Sequence, residues 1–225
     1  MYGKLFLASV FTLIIAGCAT PPPTVDTSAE AEMTFDGLYP VSNSRADAAW
    51  ARPDIDLTPY SKIMLQGVGI EYRPGGETGR SLSSRSSGGP FEVTEAQKDG
   101  FEALMRETFL EELGKSEHFT IVTEPGPDVL LVRGALLDVV SYGPPETVGR
   151  SDLYLSRVGE ATLVLELRDS ITEAILARAV DRRAAEQVGG TMMHSNRVTN
   201  ATEIRRLART WARLLRERLD EYGGA

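Results

Sequence analysis

The sequence predicts an α+β fold: a two-layer sandwich in which a mixed, mostly antiparallel sheet of about five strands is covered by two helices. Three observations carry this expectation. Apolar residues recur at helical spacing in two windows and at strand spacing, or in short apolar runs, elsewhere. The resulting order is strand, helix, four strands, helix, which suits one parallel crossover followed by antiparallel hairpins. The two helical windows also carry opposite charge, so that they attract when they lie side by side.

Taken in order, Lys62 to Tyr72 is a strong strand. Residues 73–90 hold five Gly, five Ser and two Pro and read as a mobile loop. Thr94 and Gln97 have the spacing of a capping box, in which a threonine hydroxyl and a glutamine amide satisfy reciprocal N–H groups at a helix start. The helix they open carries Phe101, Leu104, Met105, Phe109 and Leu113 on one stripe, with Gly114 marking its end. Phe119 to Thr123 is a short strand, and a long apolar strand lies within Asp128 to Tyr142, where Gly134 suggests a bulge or a close backbone approach. Val158 to Leu167 alternates, with Ala161, Leu163, Leu165 and Leu167 on one side. A turn at Asp169 to Glu173 leads to a strand over Ala174 to Arg182. The last helix is expected from an Asn200 cap to about Tyr222, burying Ile204, Leu207, Ala208, Trp211, Leu215 and Leu219. Acids dominate the first helix (Glu95, Asp99, Glu102, Glu107, Glu111, Glu112), and arginines the second (Arg205, Arg206, Arg209, Arg213, Arg216, Arg218).

The amino-terminal segment sets the address. Lys4 gives a positive start, Leu5 to Ile15 form an apolar stretch, and small residues precede Cys18, the chain's single cysteine. The apolar stretch is shorter than the roughly 20 residues that span a bilayer. The segment resembles a bacterial lipoprotein signal with its lipobox, with Ile15 in place of the usual leucine. That resemblance implies cleavage after Gly17, diacylglycerol on the Cys18 thiol and an acyl chain on the new amino terminus. Ala19 stands where an aspartate would favour the inner membrane, so the resemblance implies an outer-membrane, lipid-anchored, periplasm-facing protein. An ordinary secretory signal with an incidental cysteine is the plainer alternative. Domain organisation follows: 1–17 signal peptide, 18–34 lipidated tether, 35–225 a single α+β periplasmic domain. Residues 19–34 lack apolar periodicity and contain Pro21-Pro22-Pro23, and they reach at most about 55 Å when extended. The segment from Phe35 to Tyr60 reads as an irregular arm held by its aromatics.

Composition excludes several classes. With 24 Lys+Arg against 32 Asp+Glu and a net charge of −8, the chain lacks the basic footprint of a nucleic-acid binder. An acylated Cys18 leaves no thiol for a disulfide or a thiolate metal site. His118 and His194, the two histidines, lie on separate segments with no acid at ligand spacing, so no metal or other cofactor is expected beyond the lipid on Cys18. A triad of Ser195, His194 and Asp181 can be drawn on paper, but no Gly-x-Ser-x-Gly elbow supports it. Glu160 and Glu166 share one face of an alternating strand and read as a solvated pair rather than as acid and base. The helix-two arginines suit anionic headgroups, an acidic partner or, more simply, the acidic first helix. No catalytic residue is assigned. The better binding candidate is a cluster at one end of the sheet: Tyr142, Pro144, Tyr154, Leu155, Met192 and Met193, as a partner surface or as residues folded back onto the sheet.

Several stretches carry a family resemblance: Phe35-Asp36-Gly37-Leu38-Tyr39, Tyr60-Ser61-Lys62-Ile63-Met64, Gly126-Pro127-Asp128-Val129-Leu130, Asp169-Ser170-Ile171-Thr172 and Thr210-Trp211-Ala212. With the lipobox, they resemble an uncharacterised family of Gram-negative lipoproteins carrying the DUF3313 domain of unknown function. The family's hairpin turn usually has a glycine after the threonine, where this chain has Glu173. The element order is similar, more distantly, to envelope lipoproteins that activate penicillin-binding proteins or build secretion assemblies, a likeness of fold alone. The function expected is non-catalytic: protein–protein contact or assembly in the cell envelope. A binder of a small envelope ligand (glycan fragment or lipid) is the alternative, and an unidentified hydrolase comes third.

Overall fold

A computed structural model of the chain describes residues 21–73, 91–143, 154–186 and 192–223, with the side chain of Met193 outside that set. Gly17, Cys18, Pro144 and most of the 73–90 loop also lie outside it. The described residues form an eight-stranded mixed sheet, a two-stranded ribbon and two helices. In chain order these are β1 (Thr24–Val25), β2 (Tyr39–Ser42), β3 (Ala48–Ala51), β4 (Lys62–Tyr72), α1 (Glu95–Leu113), β5 (Thr120–Val122), β6 (Val129–Ser141), β7 (Tyr154–Leu155), β8 (Arg157–Asp169), β9 (Ile175–Glu186), β10 (Met193–His194) and α2 (Arg197–Gly223). The sheet runs β1-β2-β3-β9-β8-β6-β4-β5. β4 pairs in parallel with β5 and β6, and the remaining neighbours are antiparallel.

Both helices pack on one face. α1 starts as its sequence requires: Thr94 Oγ1 accepts from the Gln97 N–H at 3.4 Å, and Gln97 Oε1 accepts from the Thr94 N–H at 2.9 Å. Its Met105, Phe109 and Leu113 meet Ile63, Leu130, Val132, Leu136, Ala161 and Leu163 of the sheet in one buried cluster with Ala208, Trp211 and Leu219 of α2. The helices attract as their charges foretell. Glu112, 4% exposed, takes Arg216 of α2 at 3.4 Å and Lys115 at 2.7 Å, and Glu111 faces Arg209 at 3.7 Å. Burial pushes the Glu112 carboxyl up, but these cations outweigh it and hold the group below the usual carboxylate range.

The structure corrects four expectations. The sheet has eight strands rather than about five, because β1, β2 and β3 extend it beyond β9. These strands have at most four residues, too short for alternation to declare itself, and Pro40 and the Asn43 turn interrupt them. Second, the segment read as a tether is not free throughout, since Thr24 and Val25 pair with Ser42 and Val41. Third, the aromatics do not hold the arm uniformly. Phe35 is 97% exposed, while Leu38 is fully buried and Asp36 takes Arg178 at 2.5 Å. Gly37, at φ +83°, lets the chain reverse between them. Fourth, α2 is capped by Asn196, whose Oδ1 accepts from the N–H groups of Val198 and Thr199 at 2.9 and 3.0 Å, one turn before Asn200.

The β8–β9 turn keeps its left-handed residue without a glycine. Glu173 sits at φ +55°, and Asp169 Oδ1 holds the turn by accepting from the N–H groups of Ile171 and Thr172. A side chain there is strained. Glu173→Gly is expected to raise the unfolding free energy by about 0.5–1 kcal/mol, because relieved strain outweighs the added freedom of the unfolded chain. Urea denaturation checks this, and an unchanged or lower midpoint would contradict it.

Candidate functional site: an apolar cleft between sheet and helix

Cross-strand register shows where the layers fail to fill the space between them. Leu165 faces Ala179, which faces Ala49; Leu167 faces Ala177, which faces Ala51. Directly opposed residues share a face of the sheet. The helix-side surface therefore changes from leucine on β8 to alanine on β9 and β3. Leucines, with Trp211, keep α2 at its distance from the sheet. Four alanines cannot reach across it, and a cavity of about 450 Å³ remains above them.

α2 roofs the cavity with one stripe: Trp211, Leu214, Leu215, Arg218, Leu219 and Tyr222. Their spacing of three and four keeps them on a single helix face. Val41 of β2 and Val25 of β1 extend the apolar floor to the sheet edge, and Ile55 and Leu57 close one flank. Deep in the cleft, Asp181 of β9 is buried; its Oδ2 accepts from Trp211 Nε1 at 2.7 Å and from Arg183 Nε at 2.5 Å. The indole is thus fixed by a charge-assisted bond and presents its ring to the cavity. Polar groups gather at the rim, among them Ser44, Arg45, Asp56 and Thr58. Arg45 Nη1 reaches Glu217 Oε2 of α2 at 3.1 Å and links the β2–β3 turn to the helix. Both partners of that pair are well exposed, so it contributes little to stability.

The cluster predicted at the sheet end is partly brought together. Met193 pairs with Leu155 and His194 with Tyr154, so β7 and β10 join the two long loops. Tyr154 and Met192 are 51% and 66% exposed, Leu155 is half-buried, and the Tyr154 and His194 rings meet edge to face at 5.7 Å. Tyr142 does not share that exposure: it is half-buried, and its hydroxyl donates to Glu160 at 3.3 Å. Pro144 lies outside the described residues. The paper triad is dispersed, since Asp181 is engaged by Trp211 and Arg183 while Ser195 Oγ exchanges hydrogen bonds with Asn200. Glu160 and Glu166 both lie on the sheet face away from the helices, each among arginines. Glu160 takes Arg182 at 2.8 Å; Glu166 takes Arg168 at 2.8 Å and Arg178 at 2.9 Å. Of the helix-two arginines, Arg206, Arg209, Arg213, Arg216 and Arg218 are likewise paired with acids: Glu203, Glu111, Glu217, Glu112, Asp220 and Glu221.

The cleft was not foreseen as a site. Two signals for it exist: alanines at alternate positions in β3 and β9, and Leu214 and Tyr222 placed beside, rather than within, the expected core stripe of α2.

Fold and cleft together define an α+β domain with an apolar cavity between its layers. The chain belongs to the family described as Protein of unknown function (DUF3313), whose model matches residues 29–215. Among solved structures it is similar to protein XCC0632 from Xanthomonas campestris, at 10% identity and a TM-score of 0.45, covering 77% of this chain and 91% of that one. It is also similar to the PelC dodecamer from Paraburkholderia phytofirmans, at 11% identity and a TM-score of 0.35, covering 71% of this chain and 92% of that one. A third is a putative neuraminyllactose-binding hemagglutinin homolog from Helicobacter pylori, at 13% identity and a TM-score of 0.31, covering 72% of this chain and 82% of that one. No curated protein matches the chain.

The arginines around Glu166 make a prediction about acid. Burial pushes its carboxyl up, and Arg168 and Arg178 outweigh that, so the folded-state pKa is lowered. A lowered pKa contributes stability above the unfolded-state value, about 4.3, that is lost as pH falls through the folded value. Glu166→Gln is expected to lower the melting temperature at pH 7 and to narrow its gap from the parent protein below pH about 4. Melting curves across pH check this; a gap that widens in acid would contradict it.

Proposed function

We propose that the protein is a lipid-anchored, periplasm-facing component of the Gram-negative outer membrane whose domain binds one long apolar chain in the cleft beneath α2. One observation supports this most: a cavity of about 450 Å³ floored largely by alanine and valine and roofed largely by tryptophan, leucine and tyrosine. Sites for small ligands have this size and character, with a few polar groups at fixed places. The choice of an apolar chain over a glycan fragment rests on the same lining. Sugar hydroxyls need many hydrogen-bond partners, and the floor offers alkyl groups.

The magnitude is adequate. About 12 methylenes moved from water contribute roughly 10 kcal/mol gross at about 0.8 each. Association costs of 4 kcal/mol or more leave a dissociation constant in the micromolar range or weaker. A second reading, contact with an envelope protein, draws on the exposed Tyr154 and Met192 at the β7–β10 ribbon. Exposed aromatic and methionine side chains suit an interface.

Two outcomes test the reading. Ala179→Trp fills the cleft and is expected to weaken binding of a fluorescent long-chain fatty acid at least tenfold, as measured by titration, while circular dichroism stays unchanged. Undiminished affinity would overturn the cleft as the site. Cys18→Ala is expected to move the folded domain from the membrane to the soluble fraction; retention at the membrane would overturn the lipid anchor.

A further inference from the structure

The start of the described chain forms part of the cleft wall. Pro23 and Val25 line it, Val25 is held in β1 by pairing with Val41, and the Pro22 carbonyl accepts from Asn43 Nδ2 at 3.3 Å. The chain therefore enters the fold along the cavity's own wall. Cys18 lies five residues before Pro23, so the fully extended chain places their Cα atoms at most about 18 Å apart. The tether between lipid and cavity is short, where the full stretch to residue 34 would have given a long one.

Resting on the reading above that Cys18 is acylated and that the cleft takes an apolar chain, we propose that the occupant of the cleft is one of the protein's own Cys18-linked acyl chains. Three features point to it. Capacity matches: a cavity of about 450 Å³ has the size of a small-ligand site and an apolar lining that suits one alkyl chain. Position matches, because the lining residues Pro23 and Val25 belong to the same stretch of chain that carries Cys18. Mass action matches as well. A group on a short linker reaches its site at millimolar effective concentration, above that of a free lipid present at micromolar level. With one chain in the cleft, the remaining chains hold the membrane more loosely, because anchoring depends on how many chains are inserted. A competing apolar ligand that fills the cleft would return the withdrawn chain to the bilayer and tighten the anchor.

The test uses the mature acylated protein in lipid nanodiscs and the Cys18→Ala chain mixed with empty nanodiscs, so that both samples offer a probe the same bilayer. Each is irradiated with a diazirine-bearing long-chain fatty acid, and labelled peptides spanning 41–51 and 211–222 are quantified by mass spectrometry. Intact mass establishes the acylation of Cys18. The expected result is labelling of Cys18→Ala on these peptides and about tenfold less, or none, on the acylated chain. The Cys18→Ala/Ala179→Trp double variant is expected to lose the labelling, which maps the probe to the cleft. Equal labelling of the acylated and Cys18→Ala proteins overturns self-occupancy while leaving the cleft as a ligand site. Absence of labelling in both overturns the cleft reading itself and self-occupancy with it, as an unacylated Cys18 overturns the anchor.

Discussion

The spacing between the sheet and α2 is set by the largest side chains between them, and the rest of this molecule follows from where those side chains stop. Leu163, Leu165, Trp211 and Leu219 hold the layers apart over the centre of the sheet. Toward its edge the same gap stands over Ala177, Ala179, Ala49 and Ala51, which cannot fill it. Close-packed interiors tolerate few voids larger than a water molecule, so an opening of this size is a feature that an occupant can stabilise. Asp181 keeps the opening in shape by fixing the indole of Trp211 through a buried hydrogen bond.

The opposite face of the sheet makes a contrast. There Arg178 bridges Glu166 and Asp36, and Arg182 bridges Glu160 and Asp138. Two arginines hold the Asp138 carboxyl well below the usual carboxylate range. That face is charged where the alanine-floored face is apolar. The arm from Thr34 to Leu38 is fastened to this face through Asp36, and Leu38 beside it is fully buried.

Much of the fold was legible because its signals are local. The capping box at Thr94 and Gln97, the α1 stripe and the alternation of Ala161, Leu163, Leu165 and Leu167 depend on neighbours a few residues away, and the structure has each of them. The attraction between an acidic and a basic helix was equally readable. What escaped depends on distant partners. β1 to β3 exist because the long edge of β9 gives them a ladder, and nothing within Tyr39–Ser42 announces that edge. The cleft escaped for the same reason: alanine in a strand reads as neutral until register sets four of them side by side beneath a helix. Tyr154 and Leu155 pair with His194 and Met193 of β10, whereas the Tyr142 hydroxyl is tied to Glu160, a partner eighteen residues away that register alone brings near.

Xenon offers the most direct measure of the central claim, since it enters apolar cavities without needing a shaped ligand. Crystals of the Cys18→Ala chain pressurised with xenon should show an atom between Ala179 and Trp211, with the roof of α2 unmoved. Leu214 and Tyr222 folded down onto the alanines, with no xenon bound there, would contradict the account.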